Sequence, residues 1–136
     1  MKYLRNYMEA KQTQAFKKAG AFFAFSQKQL EEGKKENDIK KGTKLIQMGG
    51  GMICPVDNSV TLKLELTQIY KESIKEDIAE NGINAIIKRE LNNHECYYTG
   101  NIEDCMDALS GYNITKENIL SIFNVERQSE EVLASL

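Results

Sequence analysis

Leu62, Leu66, Ile69, Tyr70, Ile74 and Ile78 fall on one face of a helix expected from about residue 59 to 80, between Pro55 and an Asn81-Gly82 stop. A stripe of that length has to be covered by other elements, which commits the chain to a packed, mostly helical fold. Val60, Leu62, Leu64 and Leu66 also alternate as a strand would, so pattern alone leaves the start of this element ambiguous. Material for a core is present: 136 residues, 41% apolar and 28% charged, are the proportions of an ordinary globular domain that needs no staples. The longest apolar island, Ala19 to Phe25, is far too short to cross a membrane and lacks the position and flanks of a secretory signal. Three cysteines at unrelated spacings do not make a disulfide framework. These features predict a cytoplasmic protein with no membrane contact.

Other elements follow from local signals. Tyr3, Leu4, Tyr7, Met8, Ala15, Phe16 and Ala19 predict an amphipathic helix over 2–19, ending near Gly20. The run Ala-Phe-Phe-Ala-Phe after it is either the buried end of that helix or a short link. Ser26 with Gln29 three residues later has the capping-box pattern and predicts a helix over 27–36. Lys34 to Lys41 reads as a solvated loop. Thr43 to Pro55 reads as two short strands around the turn Gly49-Gly50-Gly51, which lacks the Gly-Lys-Ser/Thr and the spacing of a phosphate loop. Ile83, Ile86, Ile87 and Leu91 predict a helix ending at Asn92-Asn93, and Ile102, Cys105, Met106 and Leu109 another, stopped by Gly111. Thr115 caps a further helix, with Ile114 and Ile119 as its hydrophobic staple, and Glu130 to Leu136 is a final short helix or a frayed tail. The expected architecture is a mostly helical single α+β domain over 1–136, with five or six helices and one short β-hairpin.

Charge divides the chain. Residues 1–45, the basic helical region, carry 11 Lys/Arg against 5 Asp/Glu, and residues 46–136, the hairpin and acidic helical region, carry 7 against 15. Attraction between the two regions within the fold explains this, and so would a separate partner for each. Lys28, Lys34, Lys35, Lys40, Lys41 and Lys44, near Phe22, Phe23 and Phe25, make nucleic-acid binding through the basic N-terminal half an alternative.

The densest chemistry lies in Glu90-Leu-Asn-Asn-His-Glu-Cys-Tyr-Tyr-Thr-Gly-Asn-Ile-Glu-Asp104, a turn between two helices that holds the single histidine. His94 and Cys96 on an extended turn would point the same way and could pair as base and nucleophile, or His94 and Glu95 could act as base and orienter. A small hydrolase using His94, Glu95 and Cys96 is therefore an alternative. Cys54, His94, Cys96 and Cys105 add up to four soft metal ligands, but not at zinc-site spacing, and Cys105 falls on an apolar stripe. No cofactor motif is present. Against these stands a structural role, in which His94 caps the preceding helix. Tyr97 and Tyr98 are adjacent, so one can be buried while the other faces solvent. With His94, Glu95, Glu103 and Asp104 they outline an acidic, aromatic surface suited to a basic protein partner.

Ala-Phe-Phe-Ala-Phe-Ser-Gln-Lys-Gln-Leu-Glu-Glu-Gly (21–33), the glycine-rich hairpin at 49–52 and Glu-Leu-Asn-Asn-His-Glu-Cys-Tyr-Tyr-Thr-Gly (90–100) are similar to a family of small uncharacterised proteins of bacteriophages and mobile elements. That resemblance implies residence in the cytoplasm of a bacterial host cell. It also implies a non-enzymatic binder of a host or phage protein, such as an inhibitor of a host defence complex of the CRISPR-nuclease kind. It carries over no catalytic residues.

Overall fold

Gly20 ends the first helix where the sequence places it. In the computed structural model, which describes the backbone of residues 1–135 and the side chains of residues 1–128, α1 spans Leu4–Ala19. Gly20 takes a left-handed conformation (φ 72°) and its N–H returns to the Lys17 and Phe16 carbonyls. That turn sends Ala21 directly into a strand, β1 (Phe22–Phe23), so the apolar run is neither helix end nor link. Ser26 accepts the Gln29 N–H (3.2 Å) and starts α2 (Gln27–Glu36), as expected. The Gln29 side chain, however, accepts from Phe25 N–H (2.7 Å) rather than from Ser26, one residue beyond a true capping box.

β2 (Leu45–Gln47) and β3 (Met52–Pro55) are the two strands expected around the glycines, which have φ of 93°, 59° and 81°. β1 adds a third strand, giving one antiparallel sheet of order β1-β3-β2. α3 (Val56–Asn81) begins immediately after Pro55. Its first turns resolve the ambiguous alternation in favour of a helix: Leu62 is buried while Val60 and Leu64 are 69% and 67% exposed.

The described chain divides into two compact units, residues 1–73 and the residues from Ile74 on. The core of the first unit is built on small residues, Ala15, Ala19, Ala21 and Cys54 around Leu62, flanked by Phe16, Met48, Met52, Leu66 and Ile69. On the other face of the sheet the Phe22 ring lies against Gly33, where a Cβ would come within 2.2 Å of it.

The second unit contains the end of α3, α4 (Ile83–Asn93), α5 (Cys96–Thr99), α6 (Glu103–Ala108), a 3-10 turn over Ser110–Tyr112 and α7 (Lys116–Ser135). α4 is its hub, packing on α5, α6 and α7 through Ile86, Ile87 and Leu91, all fully buried. Of the stripe Ile102, Cys105, Met106 and Leu109, all are buried except Met106, which is half-buried. Its helix ends at Ala108 instead of Gly111, and Asn113 (φ 56°) supplies the left-handed residue. Asparagine tolerates that conformation because its short side chain can bond locally. Thr115 Oγ1 accepts the Asn118 N–H (3.1 Å) and Asn118 Oδ1 accepts the Thr115 N–H (3.2 Å), which anchors α7. α7 runs on through residues 130–135 as part of the same helix, and Leu136 lies outside the described residues. With seven helices and one small sheet among the described residues, the fold is mostly helical α+β.

Candidate protein-contact elbow

The elbow is built by hydrogen bonds within its own backbone. His94 closes α4, its N–H donating to Glu90 O (3.1 Å). Glu95 then adopts a left-handed conformation (φ 54°), which reverses the chain. One helical turn follows, with Tyr98 and Thr99 N–H both donating to Glu95 O (3.0 and 3.1 Å) and Gly100 N–H to Cys96 O (2.8 Å). Gly100 (φ 74°) ends that turn. Thr99 Oγ1 next accepts the Asn101 N–H (3.2 Å), and Asn101 Oδ1 accepts the Glu103 N–H (2.8 Å) at the start of α6. The amide- and hydroxyl-rich composition of the segment thus serves largely to satisfy a tight reversal.

Helical geometry at 96–99, rather than the extended turn expected, sorts the side chains. Cys96 is fully buried. Tyr97 is half-buried, its ring stacked on Phe123 at 5.4 Å with 15° between planes. Tyr98 is 92% exposed. Glu95, Glu103 and Asp104 are exposed as well. The expected partition of the two tyrosines is realised, with the second facing out.

His94 and Cys96 do not pair. His94 Nε2 lies 3.3 Å from Glu90 Oε2, so the imidazole faces a carboxylate of its own helix, and the helix end is capped by the His94 backbone N–H rather than by the ring. Burial pushes the Cys96 thiol up, a tendency Asp104 adds to and the Cys105 backbone N–H partly offsets. Burial also pushes the Cys105 thiol up, to about 12, with Cys96 and Glu90 adding to the effect. A nucleophilic cysteine needs the opposite, a lowered thiol with access to solvent. Cys54, likewise raised by burial, sits in the core of the first unit. Among the described residues no three His, Cys, Asp or Glu side chains converge to hold a metal ion, so Cys54, His94, Cys96 and Cys105 form no such set.

The phenylalanines of the basic N-terminal region divide between packed and exposed, with Phe23 and Phe25 51% and 75% exposed. Phe22 is taken up against Gly33, Phe23 meets Phe16 edge to face at 5.5 Å, and Phe25 covers Gly51. Lys34 pairs with Glu31 (3.3 Å).

Behind the elbow lies a cluster that the sequence pattern does not single out. Asp77 accepts Arg89 Nη1 (2.9 Å) and Asn81 Nδ2 (2.7 Å) at Oδ1, and Arg89 Nη2 (3.0 Å) and Tyr112 OH (2.6 Å) at Oδ2. Arg89 Nε donates to Glu90 Oε1 (2.8 Å), whose other oxygen faces His94. The Asp77 and Arg89 side chains are 0% and 3% exposed. Burial would raise the Asp77 carboxyl, yet the hydrogen bonds from Arg89, Tyr112 and Asn81 outweigh it and hold the group below its ordinary value. Burial and the bond to Asp77 together push the Tyr112 hydroxyl well up. Every strong valence of the Asp77 carboxylate is used, so this is a tie that locks α3, α4 and the 3-10 turn and leaves no open position for a substrate. One signal of it is legible in the chain. Glu90 sits three and four residues after Ile87 and Ile86, and Asp77 three after Ile74, so both carboxylates occupy positions on apolar helix faces.

Comparison with curated proteins and with solved structures finds no match. A family of unknown function, DUF7659, matches residues 4–132, nearly the whole of both units, and the chain belongs to that family.

Proposed function

We propose that this protein is a non-enzymatic binding module whose contact surface is the outward face of the elbow: Tyr98, with Glu95, Glu103 and Asp104 around it and His94 at its base. The observation that carries this is the 92% exposure of Tyr98 on a turn whose backbone is held in place by its own hydrogen bonds. A large aromatic side chain on a pre-shaped support gives contact area at low entropic cost. The surrounding carboxylates favour a basic patch on the partner and steer its approach. The resemblance of segments 21–33, 49–52 and 90–100 to phage and mobile-element proteins supports a host protein as partner, and a defence nuclease complex as its class.

The test is capture from a bacterial lysate on the immobilised chain, identified by mass spectrometry. Proteins held by the wild type should be lost with Tyr98→Ala and with the charge reversal Glu103→Lys/Asp104→Lys. The unfolding free energy of Tyr98→Ala should stay within about 0.5 kcal/mol of wild type, and that of the charge reversal, in the first turn of α6, within about 2 kcal/mol. Capture indifferent to both changes would sink the assignment of the elbow.

A further inference from the structure

β2 is an outer strand of the sheet, and the ladder says which way its backbone groups point. Met48 N–H donates to Met52 O (2.8 Å), Val56 N–H donates to Lys44 O (2.9 Å), and Ile46 is in register with Cys54. Lys44, Ile46 and Met48 therefore turn their backbone polar groups toward β3. In an antiparallel pair the intervening residues turn theirs the other way. Leu45 and Gln47 thus place two donors and two acceptors along the free edge. Pro55, opposite Leu45, has no N–H and needs none there. Exposed edges are ordinarily guarded by charge, proline, a bulge or very short length; Leu45-Ile46-Gln47 carries no charge, proline or bulge and relies on its three-residue length alone.

Beside this edge a groove of about 560 Å³ runs between β2 and α3. Ile46, Met48, Val60, Leu66 and Tyr70 line it, with Lys63 as its cation. Ile46 and Val60 are 43% and 69% exposed. Gln47, whose side chain belongs to the opposite face from Ile46 and Met48, lines the groove too, so the groove reaches the edge of the strand. Among the described residues Lys63 makes no ion pair. The unit around it carries 13 Lys/Arg against 8 Asp/Glu over residues 1–73.

We propose that the β2 edge is a strand-addition site for an extended, acidic segment of another protein. The segment's backbone continues the sheet through Leu45 and Gln47. Apolar side chains at alternate positions enter the groove over Val60 and Leu66, and a carboxylate meets Lys63. The free backbone groups select an extended chain, and the unpaired lysine selects its charge. This site stands independently of the elbow.

A displayed library of random heptapeptides, selected on the full chain, tests it. Recovered peptides should alternate apolar residues and carry Asp or Glu. N-methylation of every second residue should abolish binding in one phase and be tolerated in the other, as only strand pairing requires. Gln47→Pro removes one outward N–H and keeps the β2–β3 ladder, and should weaken binding by about tenfold, roughly the worth of a backbone hydrogen bond. Lys63→Glu should turn the selected charge from acidic to basic. Failure to enrich any peptide overturns the proposal, and so does binding insensitive to the phase of N-methylation. The N-methyl comparison uses only the wild-type chain, so it decides the matter even if Gln47→Pro does not fold. A dimer in sedimentation that Gln47→Pro dissolves would assign the edge to a second copy and also overturn it.

Discussion

The two units differ in what holds each of them together. The first packs by volume: alanines at 15, 19 and 21 let helix and strand approach, and Phe22 occupies the space that a side chain at Gly33 would take. Its buried set contains hydrophobic and small residues, with Ser73 at its very end. The second buries Asp77, Arg89 and Glu90 among Ile86, Ile87, Leu91 and Leu109. Small-residue packing tolerates no added atom but is indifferent to pH. A buried ion network tolerates no lost partner and responds to acid. One chain thus stabilises its two units by mechanisms that fail in different ways.

The largest expected effect is at the ion network. Asp77→Ala should cost about 3–5 kcal/mol in urea unfolding, because it leaves Arg89 Nη1 and Nη2 and the Tyr112 hydroxyl buried without their acceptor, with Glu90 alone still paired to the guanidinium. Replacing both partners by leucine and methionine should recover much of that loss. If Asp77→Ala proves nearly neutral, the contrast between the units collapses. Acid should act on the same group. The Asp77 carboxyl titrates lower in the folded than in the unfolded chain, so its contribution is complete above the unfolded value of about 4 and is lost as pH falls through the folded one. Melting curves from neutral pH down to about 2 should show that decline in the wild type and a shallower one in the double replacement.

Gly33→Ala comes next and probes the first unit. Helix propensity favours alanine by up to about 1 kcal/mol, but the Phe22 ring stands in the way, and a net loss of about 1–3 kcal/mol is expected. A gain in stability would show that the ring simply moves aside. Smallest are the caps. Ser26→Ala and Thr115→Ala, one in each unit, should each cost about 1 kcal/mol. Equal losses confirm that local capping is blind to how each unit packs, and unequal ones would reveal coupling between cap and core.

Signals are readable in the sequence wherever their cause is local. Ser26, Gly20, Thr115 and the glycines at 49–51 act on backbone within three or four residues, and each does what its pattern foretells. The elbow is legible as a dense polar turn, and half of the expectation holds: Tyr98 is displayed. The other half fails because Glu95 reverses the chain into a helical turn where an extended one is expected. That backbone change buries Cys96, while His94 meets Glu90 through the four-residue spacing of α4 itself. Stripes on α3 and α4 announce which faces will be covered, since helical periodicity is a property of the chain itself. The partners are a different matter. Phe22 joins a sheet because Met52 and Ile53 come alongside it from some thirty residues away, and a two-residue strand has no periodicity to betray it. Asp77 and Tyr112 bond across 35 positions of sequence. Residue type can show that a carboxylate on an apolar face needs a partner, but only the packed chain selects which one, because desolvation and pairing depend on distances through space.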